Sequence, residues 1–178
     1  EMFCQEYWAE RKMKTFIARF HNVYGPSGTW DGGREKAPAA LSRKVIEAQD
    51  TGKLEITIWG DGSQTRSFMY IDDCVTGIDL IMHCDDLIAT PINLGSAELI
   101  SINDLVGLIE DIAGVRLERR YDLSAPRGVA GRNSDNTFIK QVLNWEPNTP
   151  LRQGMEKTYA WIKQQYEDRK AGKPTTAG

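Results

Sequence analysis

Two short runs hold many of the groups that could act on a ligand. His21 and Asn22 follow an apolar stretch, and Arg34, Glu35 and Lys36 precede a helical one. Between them stand Gly25, Pro26, Gly28, Gly32 and Gly33, so the chain from residue 25 to 33 is predicted to be a loop. A loop that leaves the end of a buried strand in an α/β fold is a common place for a ligand, and loops on a rigid scaffold are frequent carriers of function. The bland alternative is a surface loop whose charges are simply solvated.

Two further runs are basic and polar: Gln64-Thr65-Arg66 after a tight turn, and Gly131-Arg132-Asn133 in a later glycine-rich loop that runs from Pro126 to Asp135. Lys44 lies two helical turns beyond Lys36, on a similar face. Lys44, Arg66 and Arg132 brought together would make a cationic pocket suited to phosphate, arginine offering a planar fork and lysine a point charge. An isolated basic residue is more often a solvated surface charge. The sequence lacks G-x-G-x-x-G opening a strand–helix unit, a G-x-x-x-x-G-K-[ST] loop and a G-x-S-x-G elbow. Residue types and spacing alone therefore support an anionic-ligand site and no particular reaction.

The elements that must carry these groups alternate between strand and helix, which predicts an α/β fold. Helices are predicted over residues 1–12, 36–49, 74–83, 101–113, 136–143 and 151–166, and strands over 15–20, 54–59, 64–71, 91–95 and 115–121. Phe3, Tyr7 and Trp8 are expected to share the apolar face of the first helix, and Val75, Ile78, Ile81 and Met82 that of the third. Asp72-Asp73 is read as a helix cap, and Ser101 as an N-cap with Asp104 completing a capping box. Gly52 and Gly114 are expected to stop the helices before them. Residues 167–178, polar and small, are expected to fray.

A net charge of −3 gives no sign of a nucleic-acid-binding surface, and no apolar run approaches a membrane span. The three cysteines, Cys4, Cys74 and Cys84, show no C-x-x-C spacing, and His21 and His83 are the two histidines, so a zinc site is not expected. Free buried thiols in a reducing, cytoplasmic setting are the simpler reading.

The run Arg19-Phe20-His21-Asn22-Val23-Tyr24-Gly25-Pro26 resembles the R-x-x-N-x-Y-G-P segment of extended short-chain dehydrogenase/reductases that act on nucleotide sugars, the NAD-dependent epimerase/dehydratase family. Gly60-Asp61-Gly62 with Arg66-Ser67-Phe68, Tyr70-Ile71-Asp72-Asp73 and Asn93-Leu94-Gly95 extend the resemblance to about residue 165. The segment from Gly28 to Ala40, with Gln64 to Phe68 and Gly131 to Asn136, is similar to the GDP-mannose 3,5-epimerase branch of that family.

The resemblance implies the C-terminal part of a two-part molecule, with a preceding NAD-binding Rossmann half that bears the glycine fingerprint, a Tyr-x-x-x-Lys pair and a catalytic cysteine. It implies that residues 1–33 and 66–96 belong to the Rossmann domain, 34–65 and mainly 97–166 to a substrate-binding domain, and 167–178 to a disordered tail. It implies a GDP-sugar substrate, NAD as cofactor, no nucleic-acid or membrane partner, and a homodimer at full length. Lys36 would be the catalytic acid, suited to proton transfer if it is partly desolvated among other cations. Asn22, Glu35, Lys36, Ala37, Lys44, Gln64, Thr65, Arg66 and Arg132 would bind substrate, and His21 would lie beside the nicotinamide. The sequence departs from the branch at Ala130, where an arginine is expected, and at Ser27 and Asp31; the tail after Tyr166 shows no match. A related 4-epimerase, 4,6-dehydratase or reductase, or a non-catalytic sugar-nucleotide-binding relic, shares the N-x-Y-G-P and R-S-F elements and remains open.

Overall fold

Strand formation in this chain follows burial. Ile92 and Leu94 are 1% and 0% exposed, and a strand covered to that degree reads as a run of apolar residues suited to a parallel sheet. In the computed structural model, which describes residues 1–125 and 129–176, β5 (Pro91–Leu94) pairs in parallel with β1 (Ile17–Phe20), from Ile17 opposite Pro91 to Phe20 opposite Leu94. The chain divides into two units, one of residues 1–23, 67–98 and 133–149, the other of residues 24–66, 99–132 and 150–178. The crossings fall within β2 (Asn22–Tyr24) and β4 (Thr65–Tyr70) and after Glu98, Arg132 and Thr149. Residues 133–149 fall in the first unit.

The first unit is built on the β1–β5 pair, α1 (Met2–Arg11), α3 (Ile71–Met82), a 3₁₀ turn (Asp85–Leu87) and α5 (Thr137–Leu143). Met69, Cys74, Ile81, Leu87, Ile92, Leu94 and Ile139 form its core, with Trp145 packed against them. The buried stripe of α3 is Cys74, Gly77 and Ile81, displaced from the predicted set, and Val75 and Met82 face solvent. The helix is apolar on more than one side, so spacing alone does not choose the face. Asp72 and Asp73 fall inside the first turn of α3, whose N-cap is Tyr70. Asp73 accepts hydrogen bonds from the Asn148 and Thr149 backbone N–H groups at 3.1 and 2.8 Å and from the Thr149 hydroxyl at 2.9 Å. The expected cap is thus a tether for the chain leaving α5. On α1 the expected face is covered in part: Trp8 is half-covered together with Cys4, whereas Phe3 and Tyr7 are exposed.

The second unit is built on a parallel pair, β3 (Glu55–Trp59) with β7 (Glu118–Asp122), and on α2 (Ala37–Thr51), α4 (Ile102–Ala113) and α6 (Leu151–Lys170). Ile56 and Ile58 alternate inward from β3, while α2 packs against α4, α6 and β3. Pro38 occupies the first turn of α2, and Gly52 ends that helix at φ +71°. Ser101 caps α4 by accepting from the Asp104 N–H at 3.0 Å, and its hydroxyl donates to the Asp104 carboxylate at 2.6 Å. This is a side-chain version of the capping box. The short strands β6 (Leu99–Ser101) and β8 (Gly131–Arg132) were not predicted; the later glycine-rich loop that contains β8 includes residues 126–128, which lie outside the described residues.

The tail expectation is corrected as far as Lys170. Helix α6 continues four residues beyond Tyr166 because its last turns find partners: Tyr166 donates to Asp50 at 3.0 Å and Lys170 to Asp50 at 2.5 Å. Beyond it, the Thr176 carbonyl accepts from the Trp30 indole at 2.9 Å. Cysteine burial is also less uniform than expected: Cys74 is buried, Cys4 and Cys84 half-buried, and all three are free. Burial raises the pKa of Cys74, which keeps it a thiol. Among the described residues, no helix is long and apolar enough to cross a membrane, and no group of three or more His, Cys, Asp and Glu side chains is placed to hold a metal ion.

Candidate functional site

In the first unit the candidates His21 and Asn22 follow the C-terminal end of β1. His21 continues the strand register, its N–H donating to the Leu94 carbonyl at 3.0 Å. Gly95 is required beside it, since a Cβ there would come within 2.6 Å of the His21 Cβ. The imidazole is therefore held close to the ends of two parallel strands, the edge at which α/β folds take ligands. The Asn22 amide donates to the Ser67 carbonyl at 3.1 Å.

The second unit holds the rest. The loop that precedes α2 begins against the core, with Trp30 fully buried, and turns through Gly32 and Gly33 at φ +92° and +83°. Those angles suit glycine. Arg43, in the second turn of α2, reaches back to this loop: its guanidinium meets Glu35 at 2.9 Å and Asp31 at 3.4 Å, and it also pairs with Glu47 at 2.8 Å on its own helix. Glu35 further accepts from the Gly33 N–H at 2.7 Å, leaving its side chain 5% exposed. Burial pushes the Glu35 pKa upward, but hydrogen bonds from its own N–H, Arg43 and Gly33 outweigh it and hold the carboxyl below its ordinary value. Asp31 also pairs with Arg169, whose guanidinium lies 4.1 Å from the Trp30 ring centre. Arg169 is the first cause of the lowered Asp31 pKa.

Lys36 is the N-cap residue of α2, in extended conformation at φ −76° and ψ 161°, and its carbonyl accepts from Ala39 and Ala40 at 3.0 and 2.9 Å. Its side chain is exposed, and its amine has no hydrogen-bond or ion-pair partner among the described residues. The desolvated lysine is Lys44, which donates to the Thr57 carbonyl at 3.0 Å; burial first, then the neighbouring Arg43 charge, lowers its pKa. Ala37, half-buried, opens α2.

The basic runs meet through backbone pairing. β4 and β8 run parallel, with Thr65 opposite Gly131 and Arg66 opposite Arg132. A Cβ on Gly131 would come within 2.8 Å of the Thr65 hydroxyl, so a small residue is needed there. Arg66 donates to the Thr65 carbonyl at 2.7 Å, and Arg132 is exposed. The Gln64 amide donates to Trp59, while its buried side-chain oxygen has no hydrogen-bond partner among the described residues. Arg66 and Arg132, opposite each other in the β4–β8 register, carry donors of the kind that recognise a phosphate-bearing ligand. Sequence reading passed over Arg43. Its pairing with Glu47 at i+4 was the available signal, but the reach back to Asp31 and Glu35 depends on the path of the glycine loop.

The family model for the NAD dependent epimerase/dehydratase family matches residues 1–95, more than half of the chain. The chain belongs to this family. Among curated members of the epimerase/dehydratase family it is 44% identical to the GDP-mannose 3,5-epimerase of Arabidopsis thaliana over 171 residues, covering 96% of this chain and 44% of that protein. Among solved structures it matches a UDP-glucose 4-epimerase from Thermotoga maritima, with UDP-glucose, at a TM-score of 0.81 and 27% identity, covering 93% of this chain and 51% of that one. It also matches a UDP-glucuronic acid 4-epimerase from Bacillus cereus in complex with NAD, at 0.78 and 28% identity, covering 99% and 50%. The chain thus spans about half the length of the relatives it matches.

Proposed function

We propose that this chain is the C-terminal part of a nucleotide-sugar epimerase that converts GDP-D-mannose to GDP-L-galactose. The observation that carries the reading is Lys36: a cationic proton donor with no partner among the described residues, on a loop otherwise tied down on both sides. The likeness to GDP-mannose 3,5-epimerase over 96% of the chain supports GDP-mannose as the substrate.

NAD, when bound, would supply a hydride acceptor for C4 of the sugar and, after inversion at the neighbouring centres, the hydride that restores the alcohol there. The residues here that fit such a cofactor are at the ends of β1 and β5, where His21 is packed against Gly95 with no room for another side chain. A ketone at C4 acidifies the neighbouring C3–H and C5–H, because the carbanion delocalises as an enolate. A base carried by the preceding half of the complete protein takes a proton from one face, and Lys36 returns one to the other. Glu35 and Ala37 line the sugar and Asn22 binds it. Gln64, Thr65, Arg66, Lys44 and Arg132 hold the nucleotide diphosphate by charge and hydrogen bonding. In this reading the units are parts of a Rossmann domain and a substrate-binding domain, and the complete cytoplasmic protein is a homodimer.

The test uses the complete reading frame with GDP-D-mannose in deuterated water. Deuterium entering at C3 and C5, with GDP-L-galactose appearing, is the expected result. Binding of GDP-mannose with no exchange would overturn it and point to a 4-epimerase, a reductase, a dehydratase or a binding protein. Lys36→Ala is expected to reduce exchange by about 100-fold or more, the scale of a lost general acid; unchanged exchange would remove Lys36 from the mechanism.

A further inference from the structure

Arg43 has no place in the chemistry above, yet it is a heavily engaged cation of the second unit. It meets three carboxylates, those of Asp31, Glu35 and Glu47, and its side chain is 19% exposed. Two of the three belong to the loop that leads to Lys36. Glu35, bonded to Lys36 through the peptide, is locked between Arg43 and the Gly33 N–H. On the other side of Lys36, the carbonyl is taken up by the first turn of α2. The backbone at Lys36 is therefore pinned from both directions, and its side-chain torsions are what remain free.

We infer that Arg43 is a positioning residue: it clamps the Asp31–Glu35 segment to α2 and so fixes the point from which the Lys36 amine reaches a substrate. The inference rests on the reading of Lys36 as the proton donor. Arg169 forms the outer layer of the clamp. It grips Asp31 from the last turn of α6 and stacks on Trp30, so the end of that helix braces the same loop. An acid displaced by about 1 Å can cost about 100-fold in rate without changing what the site binds. Losing the clamp should therefore act on turnover.

The experiment is a double-mutant cycle in the full-length protein, following deuterium entry from GDP-D-mannose. Arg43→Met keeps the aliphatic stem and removes the fork. It is expected to lower kcat for exchange by about 10- to 100-fold with KM within about 2-fold, and to shift the ratio of C3 to C5 exchange. Combined with Lys36→Ala, it should cost nothing further, because a residue acting through Lys36 has no effect once the amine is gone. Glu47→Gln, on the helix side of Arg43, is expected to leave exchange unchanged. If Arg43→Met does not fold, Asp31→Asn loosens the same clamp from the loop and should show the same kcat effect and the same non-additivity. Wild-type rates in the variant, a loss confined to KM, or full additivity with Lys36→Ala would overturn the inference while leaving the epimerase reading intact. Absence of exchange in the unmodified protein would overturn both.

Discussion

At Glu35 a carboxylate is almost wholly covered and still ionised, because Arg43 and two backbone N–H groups together exceed the cost of burial. Its folded pKa lies below the ordinary value of 4.5. A carboxyl lowered on folding stabilises the native state fully above its unfolded pKa, and that contribution is lost as pH falls through the folded value. The pH dependence of thermal unfolding is therefore expected to be steeper below 4.5 in the parent protein than in Glu35→Gln. Identical profiles would show that Glu35 is not stabilised on folding. The chemistry of the Arg34-Glu35-Lys36 run is legible from residue type. The engagement of Glu35 by Arg43 is not, because a basic residue on an amphipathic helix reads as solvated until the loop is known to fold back through Gly32 and Gly33.

Elements were legible where periodicity and end signals agree. Helix α4 has both, with Ser101 at its start and Gly114 at φ +67° as its stop, and runs as expected to Ala113. Helix α3 shows the weakness of periodicity in an apolar helix: its buried stripe runs through Cys74, Gly77 and Ile81 because Gly77 lets the helix approach β5. A Cβ at Gly77 would come within 2.5 Å of Leu94 and 3.1 Å of Trp145. Gly77→Ala is expected to destabilise the protein by about 1–3 kcal/mol through overpacking, read as a lower denaturant midpoint at constant slope. An unchanged midpoint would mean that α3 shifts outward at no cost. Short pairings such as β4 with β8 leave almost no trace in sequence, since two residues carry no period.

At the scale of the whole molecule the chain crosses between its units within β2 and β4 and after Glu98, Arg132 and Thr149. The second and fourth of these crossings carry Arg66 and Arg132, which the β4–β8 register makes neighbours. Arg66→Met and Arg132→Met are each expected to weaken GDP binding by the full-length protein about tenfold, the scale of one charge-assisted hydrogen bond. Calorimetry at low and high salt checks this, the parent losing more affinity with salt than either variant; unaltered affinity in both would remove the pair from the nucleotide site. What the sequence by itself determined is the α/β class, most helices and strands, the glycine positions that end helices, and the set of basic and acidic groups available for chemistry. These depend on local sterics, hydrophobic period and residue type. Which face of α1 and α3 is covered, the tether at Asp73, the continuation of α6 to Lys170, the pairing of Arg66 with Arg132, and the Arg43 clamp beside Lys36 were decided by the tertiary structure. Most depend on a partner many residues away, and the Arg43 clamp on how the glycine loop before α2 folds back; both are set by chain path and burial, which residue type and period do not contain.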